Sequence, residues 1–384
     1  MSGSHEVAVL RRPDEVSQIA DDWNRLIQGA LFSLPSFESV QQLSQDFEGR
    51  FLLLAQRVDG QVTAIACFYC IQGHKAYKAG ERMLFRLPVR DVQLYGGAMP
   101  GSVDDELVDR FLTIVTREFS FDVLTIGEMP IASPVYAAVM AQTKRFLVAE
   151  LSRKCSLRWM IRMPKDFDSY MLTLGAKSRQ NVRREIRMFE KQFKCEFQSV
   201  RRTDQIEPFL ASAEAISRKT YQWNVGQRIV NDEASQHGLM RLAQRGELYC
   251  YIVHADANPV AFMRGRLVGG TYEFETAGFD PAYSKASPGA VLLMFAVRDL
   301  IENAHCVNFD FGQGGDEVGY KARFGNESHA CALLQIGRKS NVYTLFLFAV
   351  QRLLLGLLNL ADRLLGNGNL RARIKKSLRK YGDR

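Results

Sequence analysis

The stretch TYEFETAGFDPAYSKASPGA, residues 271–290, decides how the rest of the chain is read. Its opening is rich in aromatic and β-branched side chains at alternating positions, the pattern of a strand over Thr271–Phe279. Ser287-Pro288-Gly289 then opens a helix expected over 288–303, with Pro in the first turn, where a missing amide costs least. A strand that leads through a loop into a helix start leaves the first-turn amides, Pro288 excepted, facing the strand end. That makes an anion site. Lys285 adds a full charge to the loop, and Gly289 lets a ligand come close.

Downstream, a buried strand at 306–309 runs into Asp310-Phe311-Gly312-Gln313-Gly314-Gly315-Asp316-Glu317, then a short helix over 316–324 carrying Tyr320-Lys321, and a last strand at 329–336. An Asp at a strand end points into whatever crevice the sheet edges. Kinases share Asp-Phe-Gly, but their Gly-rich loop, strand lysine and catalytic-loop pattern are missing here. Upstream lie a strand at 195–201, helices at 203–223 and 232–245, and hairpin-style strands at 247–254 and 260–268. The first half repeats this order: strand 7–10, helices 14–28 and 36–47, strands 50–57 and 61–71, more strand up to Tyr95, helix 104–119, strand 122–126, helix 134–143 and strand 146–151. Two copies of one mixed unit in tandem is the economical description.

Composition agrees: 384 residues, 47% apolar and 24% charged, suit two globular domains and exclude a disordered or fibrous chain. Seven scattered cysteines, with one lone CxxC at Cys67/Cys70, read as buried thiols of a reducing compartment, and no metal site is expected. The first fifteen residues lack the apolar core of a signal peptide, so a cytoplasmic location is expected. The net charge of +8 is unevenly placed, because residues 363–384 hold eight Lys/Arg against one Asp and so carry +7 of it. A DNA-binding surface spread over the fold is therefore disfavoured. Within the nearly neutral body, residues 177–202 hold nine Lys/Arg against three Glu. On a helix over 177–194, Lys177, Gln180, Arg184, Arg187, Lys191 and Lys194 form one stripe, while Val182, Ile186, Phe189 and Phe193 form the opposite one.

Lys177-Ser178-Arg179 with Arg183-Arg184, Ala277-Gly278-Phe279 leading to Tyr283 and Ser287-Pro288-Gly289, and Asp310-Phe311-Gly312 with Gly314, Asp316-Glu317 and Tyr320-Lys321 together resemble the GNAT superfamily. Within it, they are similar to the acetyltransferases of bacterial cellulose and exopolysaccharide synthesis, close to the Fem-type aminoacyl ligases that carry two GNAT folds. The likeness covers about 165–337, and the first half only by element order. It implies an α+β fold of tandem GNAT units, each a mixed, mostly antiparallel sheet flanked by helices: a degenerate copy over 1–164, an acyltransferase domain over 165–340, and a helical tail over 341–384.

The resemblance further implies acyl transfer from acetyl-CoA or another acyl-CoA, with pantetheine along Thr271–Phe279 and the pyrophosphate at the start of helix 288–303. Lys285, Ser287, Gly289 and Phe279 are then the donor-binding residues. Ser287-Pro288-Gly289 departs from the common Gln/Arg-x-x-Gly-x-Gly/Ala phosphate loop, and aminoacyl-tRNA, the donor of Fem-type relatives, stays as the alternative. Acylation needs a base for the nucleophile and an acid for the thiolate. Glu275, two residues from Glu273 on one strand face, and Asp310 compete as base; Tyr320 is the expected acid with Tyr283 in reserve, and Lys321 suits an oxyanion or anionic acceptor. Arg179, Arg183 and Arg184 suit a phosphorylated substrate. Trp223, near Asn224 and His237, is placed to stack on a sugar ring. The expected acceptor is a sugar or lipid-linked sugar precursor of the cell envelope, with tRNA less favoured; a non-catalytic scaffold of two degenerate units is the remaining alternative.

The tail, apolar over 342–365 but broken by Gln351-Arg352, Asn359 and Asp362-Arg363, is too interrupted to span a bilayer. Followed by six basic residues over 371–380, it reads either as an interfacial anchor on the inner membrane face or as a final packed helix.

Overall fold

The computed structural model describes residues 5–28, 30, 32, 34–79, 82–151, 156–220, 223, 228–312 and 319–365. The chain divides into two compact units, one of Met1–Ala30, Leu34–Ser156 and Ala330–Arg384, the other of Leu31–Ser33 and Leu157–His329. From Ala330 on, the last strand and the C-terminal helix thus belong to the first unit, where the sequence boundaries put them in the second domain and in a separate tail.

In the first unit β1 (His5–Leu10), β2 (Phe51–Val58), β3 (Gln61–Ala79) and β4 (Arg82–Leu94) are successive antiparallel neighbours, and β4 pairs in parallel with β5 (Val123–Pro130). The chain's last strand, β13 (Glu327–Arg338), pairs antiparallel with β5 and with β6 (Phe146–Glu150). Leu107, Val108, Phe111, Leu112 and Val115 recur on one face of helix Asp105–Glu118 and are buried against the sheet. The Asp104 carboxylate caps that helix by accepting from the Leu107 amide at 2.8 Å.

A polar row interrupts this core. Lys75 Nζ donates to Gln335 Oε1, Gln335 Nε2 donates to Thr125 Oγ1 at 3.1 Å, and Gln93 Nε2 donates to Asp91 Oδ2 at 3.3 Å. Asp91 Oδ1 is buried and has no hydrogen-bond partner among the described residues. Desolvation pushes the Asp91 carboxyl up to about 6 and the Lys75 ammonium down to about 8. A carboxyl raised in the folded state contributes stability that is whole below its unfolded value of 3.8 and gone once pH passes about 6. Asp91→Asn should therefore stabilise the protein by about 1–3 kcal/mol at pH 7 and by nothing near pH 3.5. Urea melts at the two pH values check this, and a variant weaker than the parent at pH 7 would refute it.

Helix Val342–Leu365 packs Thr344, Leu347 and Phe348 into the first unit, with Thr344 Oγ1 donating to the Asp122 carbonyl at 2.7 Å. Further along, Leu353, Leu357 and Leu360 are exposed. Among the described residues no helix is long and apolar enough to cross a membrane. The basic stretch 371–380 lies outside the described residues. Of the six described cysteines, Cys67, Cys70, Cys250, Cys306 and Cys331 are buried and Cys195 is half-buried.

The second unit runs β8 (Cys195–Val200), β9 (Cys250–Ala255), β10 (Asn258–Val268) and β11 (Thr271–Phe279) antiparallel, then β12 (Asn308–Asp310) parallel to β11, then β7 (Ser156–Arg162) antiparallel to β12. Four antiparallel strands, one parallel step and an antiparallel neighbour repeat the first unit's succession. Helix Ile206–Ser217 covers one face, packing Phe209, Leu210 and Ala213 with Ile252 and Phe262. Helices Ala176–Gln192 and Pro288–Glu302 cover the other, packing Val182, Phe189 and Val297 with Tyr251, Met263, Tyr272 and Phe309. The apolar stripe of the basic helix is thus its core face.

Candidate active site

The site is made by two strands that part. β11 and β12 pair at Thr271↔Asn308, Tyr272↔Phe309 and Glu273↔Asp310, and β11 then continues to Phe279 without a strand on that side among the described residues. On its other side Arg264 lies opposite Thr276 and Gly265 opposite Phe274, so Glu275 is an extra, bulged residue. A bulge bends its strand and sharpens the local twist, which turns β11 off its parallel neighbour. Gly265 is the residue that permits it, since a Cβ there would lie 2.4 Å from the Glu273 carbonyl oxygen. The free edge offers backbone N–H and C=O groups that an extended ligand can pair with.

Where the strands part, Tyr320 sets its ring 5.7 Å from Phe311 and 6.1 Å from Phe274. The chain reaches it through a left-handed turn at Gly312 (φ +69°), whose carbonyl accepts from Lys321 Nζ at 3.3 Å. Tyr320 is half exposed, and desolvation where its hydroxyl sits pushes that group's pKa up, which keeps it a proton donor through neutral pH. At the far end of the edge, Phe279 packs beside Gly289 in the first turn of helix Pro288–Glu302. Five strand residues, ~16 Å, separate Phe274 from Phe279. Ser287 is left-handed (φ 54°), and its carbonyl accepts from the Ala290 and Val291 amides at 3.0 and 3.1 Å. The Gly289 amide has no backbone acceptor among the described residues and is left for a ligand. Lys285 is exposed in the turn Pro281–Ala286 just before it.

The expected base Asp310 is fully buried, and Arg158 Nε donates to both of its oxygens at 3.0 Å while the Gly312 amide donates at 2.8 Å. The Arg158 guanidinium also lies 4.1 Å from the centre of the Phe32 ring. With no exposed surface and its lone pairs taken, Asp310 is an anchor between β12 and β7 and is corrected from base to that role. Glu275 accepts from Arg264 Nε at 2.6 Å, and Glu273 accepts from Arg266 Nε at 2.8 Å. By strand alternation Arg264 shares Phe262's face of the sheet, the one covered by helix Ile206–Ser217.

Tyr283, the reserve acid, instead packs its ring 5.6 Å from Phe193 and is corrected to a structural contact. Trp223 carries the Arg218 and Arg228 guanidiniums over its ring at 4.8 and 5.1 Å, so the surface expected to meet a sugar is already engaged. Asn224, Gly314, Asp316 and Glu317 lie outside the described residues, and His237 is exposed on helix Glu233–Gln244. Arg179 donates to the Leu172 and Leu174 carbonyls at 3.4 and 3.5 Å, whereas Arg183 and Arg184 are exposed. Sequence reading missed Arg158, Arg264 and Arg266, and also Lys219, whose ammonium donates to Asp280 at 2.6 Å. Burial pushes the Asp280 carboxyl up, but the bonds from Lys219 and the Ala282 amide outweigh it and hold the group below its ordinary value. That pair fixes the turn in front of the helix start, and the only signal for it was an Asp before Pro281.

Residues 176–322 match the family model of the acetyltransferase (GNAT) domain. No curated protein sequence matches the chain. Among solved structures, FemX has 10% identity over 82% of this chain and 95% of its own, with a TM-score of 0.56. A domain assigned to a lysylphosphatidylglycerol synthetase of Agrobacterium fabrum has 12% identity over 88% and 96%, with a TM-score of 0.52. A tandem GNAT protein of clavulanic acid biosynthesis has 11% identity over 88% and 99%, with a TM-score of 0.48. The bulged strand, its open edge and the helix start all fall within residues 176–322, so the site lies inside the part of the second unit that matches the GNAT acetyltransferase domain.

Proposed function

We propose that the second unit moves an acyl group, acetyl foremost, from coenzyme A to an amino or hydroxyl group of a sugar or lipid-linked sugar precursor of the cell envelope. The observation that carries the donor assignment is the open edge of β11, which has a proton donor at one end and a free helix-start amide at the other. An extended pantetheine arm is of a length to join them, with the thioester beside Tyr320 and the diphosphate at Gly289. The acceptor's nucleophile attacks the thioester carbon, a C–N or C–O bond forms and the C–S bond breaks. The departing sulfur takes the Tyr320 proton, and the acceptor's proton leaves to Glu275 directly or through a water. Of the two carboxylates expected as base, Glu275 has 23% of its side chain exposed and Asp310 none. The acceptor class rests on the likeness to exopolysaccharide acetyltransferases. The exposed Leu353, Leu357 and Leu360, followed by the basic stretch 371–380, support work at the inner face of the cytoplasmic membrane.

Calorimetric titration with acetyl-CoA tests the donor. A Cβ at Gly289 would make only an ordinary 3.5 Å contact with Phe279, so Gly289→Asp should fold normally while setting a carboxylate against the diphosphate. Binding by the parent and a loss of at least tenfold in the variant are expected. No heat with the parent, or equal affinity in both, would reject the acyl-CoA reading and favour aminoacyl-tRNA.

A further inference from the structure

The second unit holds another concavity, of about 620 Å³, walled by helices Phe167–Thr173, Ala176–Gln192 and Pro288–Glu302. Phe167 and Ile186 give it an apolar floor, while Arg179, Arg183, Arg187 and Arg298 line it against a single acid, Asp168. Arg179, Arg183 and Arg187 recur every four residues, so they stack on one face of their helix, where like charges repel. Among the described residues none of the four makes an ion pair with a carboxylate; Glu185, between them, is turned to Arg323 at 2.7 Å. Arg298 lies with its guanidinium 4.4 Å from the centre of the Phe167 ring, an arrangement that orients the fork without neutralising it. Four uncompensated guanidiniums over an apolar floor disfavour the empty state and suit an anion with several oxygens.

The concavity is separate from the donor loop. Phe193, just past the C-terminal end of the basic helix, packs on Tyr283 beside that loop, and Arg183 lies ten residues back, ~15 Å along the axis. Arg298 is likewise ten residues, ~15 Å, beyond Pro288 on the other helix. We propose that this pocket binds a diphosphate, two guanidiniums to each phosphate, with the apolar floor taking the group it is attached to. The chemistry is shared by a nucleoside diphosphate sugar and an isoprenyl diphosphate sugar. Its role as acceptor grip rests on the function proposed above, but diphosphate binding does not.

Titration of the full chain and of its Gly289→Asp variant with inorganic pyrophosphate, UDP-glucose, and vesicles carrying an isoprenyl diphosphate tests it. Both proteins should bind pyrophosphate, with affinity falling as salt rises, and Arg183→Glu or Arg298→Gln should weaken it at least tenfold with an unchanged circular dichroism spectrum. Binding of UDP-glucose identifies a nucleotide source, and binding of the vesicles alone identifies a lipid one. Loss of pyrophosphate binding on Gly289→Asp but not on Arg183→Glu would overturn the proposal. So would silence with all three probes while tRNA binds in an Arg183-dependent way. If acetyl-CoA fails to bind while pyrophosphate binding survives, the donor reading falls and this one stands.

Discussion

Replacing Asp310 with alanine should destabilise the protein by about 3–5 kcal/mol, the cost of leaving a buried charge without its partner. Arg158, with 11% of its side chain exposed, directs its guanidinium at a carboxylate that has no exposed surface. The Phe32 ring beneath it offers about 0.5–2 kcal/mol and cannot replace the carboxylate. Asp310 stands opposite Met160, so the pair ties β12 to β7 beside the place where β11 parts from β12. Replacing both partners with apolar residues, Arg158→Met with Asp310→Leu, should recover most of the loss. Urea unfolding of the single and double variants measures this, and a single-variant loss below about 1 kcal/mol would remove the anchor role. Were Asp310 the base, Asp310→Asn would instead alter the pH–rate profile at unchanged stability.

Tyr320→Phe should lower kcat by about 10²–10⁴-fold with KM for the acyl donor little changed, because the hydroxyl acts only as the C–S bond breaks. Phenylalanine keeps the ring contacts with Phe274 and Phe311, so melting should move little. The raised pKa of the hydroxyl also means that the parent shows no alkaline loss of kcat from this group at or below pH 10. A kcat within tenfold of the parent would transfer the proton donor role to another group or to water.

Strand Thr271–Phe279 and the helix that follows were legible because alternation, a Pro at the first helical position and a loop of turn residues all agree locally. The basic helix was legible for the same reason, since its two stripes keep a single period. What could not be read is what one strand does to another. Glu273 and Glu275 look like a simple alternating pair, yet Glu275 is bulged because Gly265, ten residues away, lets the partner strand come close. Arg158 and Asp310 are 152 residues apart, and neither sits in a pattern that announces the other. β3 runs to Ala79, well past the expected end at 71, because β4 supplies the hydrogen bonds that Gly73, His74 and Lys75 give no apolar reason to expect. Trp223 advertises a stacking platform, and its sequence gives no sign that Arg218 and Arg228 take it first.

β13 makes the timing of synthesis matter. The first unit begins at the N-terminus, yet β5 and β6 take their shared neighbour from Cys331–Arg338, made only after the whole second unit. Roughly 180 residues separate Glu150 from Cys331, about 10–40 s of translation at ordinary rates. For that interval two strand edges have no partner, which is the condition under which nascent chains pair wrongly with one another. The second unit, apart from the Leu31–Ser33 segment, is continuous in sequence and can close as soon as it leaves the ribosome. Chaperone demand during expression should therefore fall on the half that is made first and finished last.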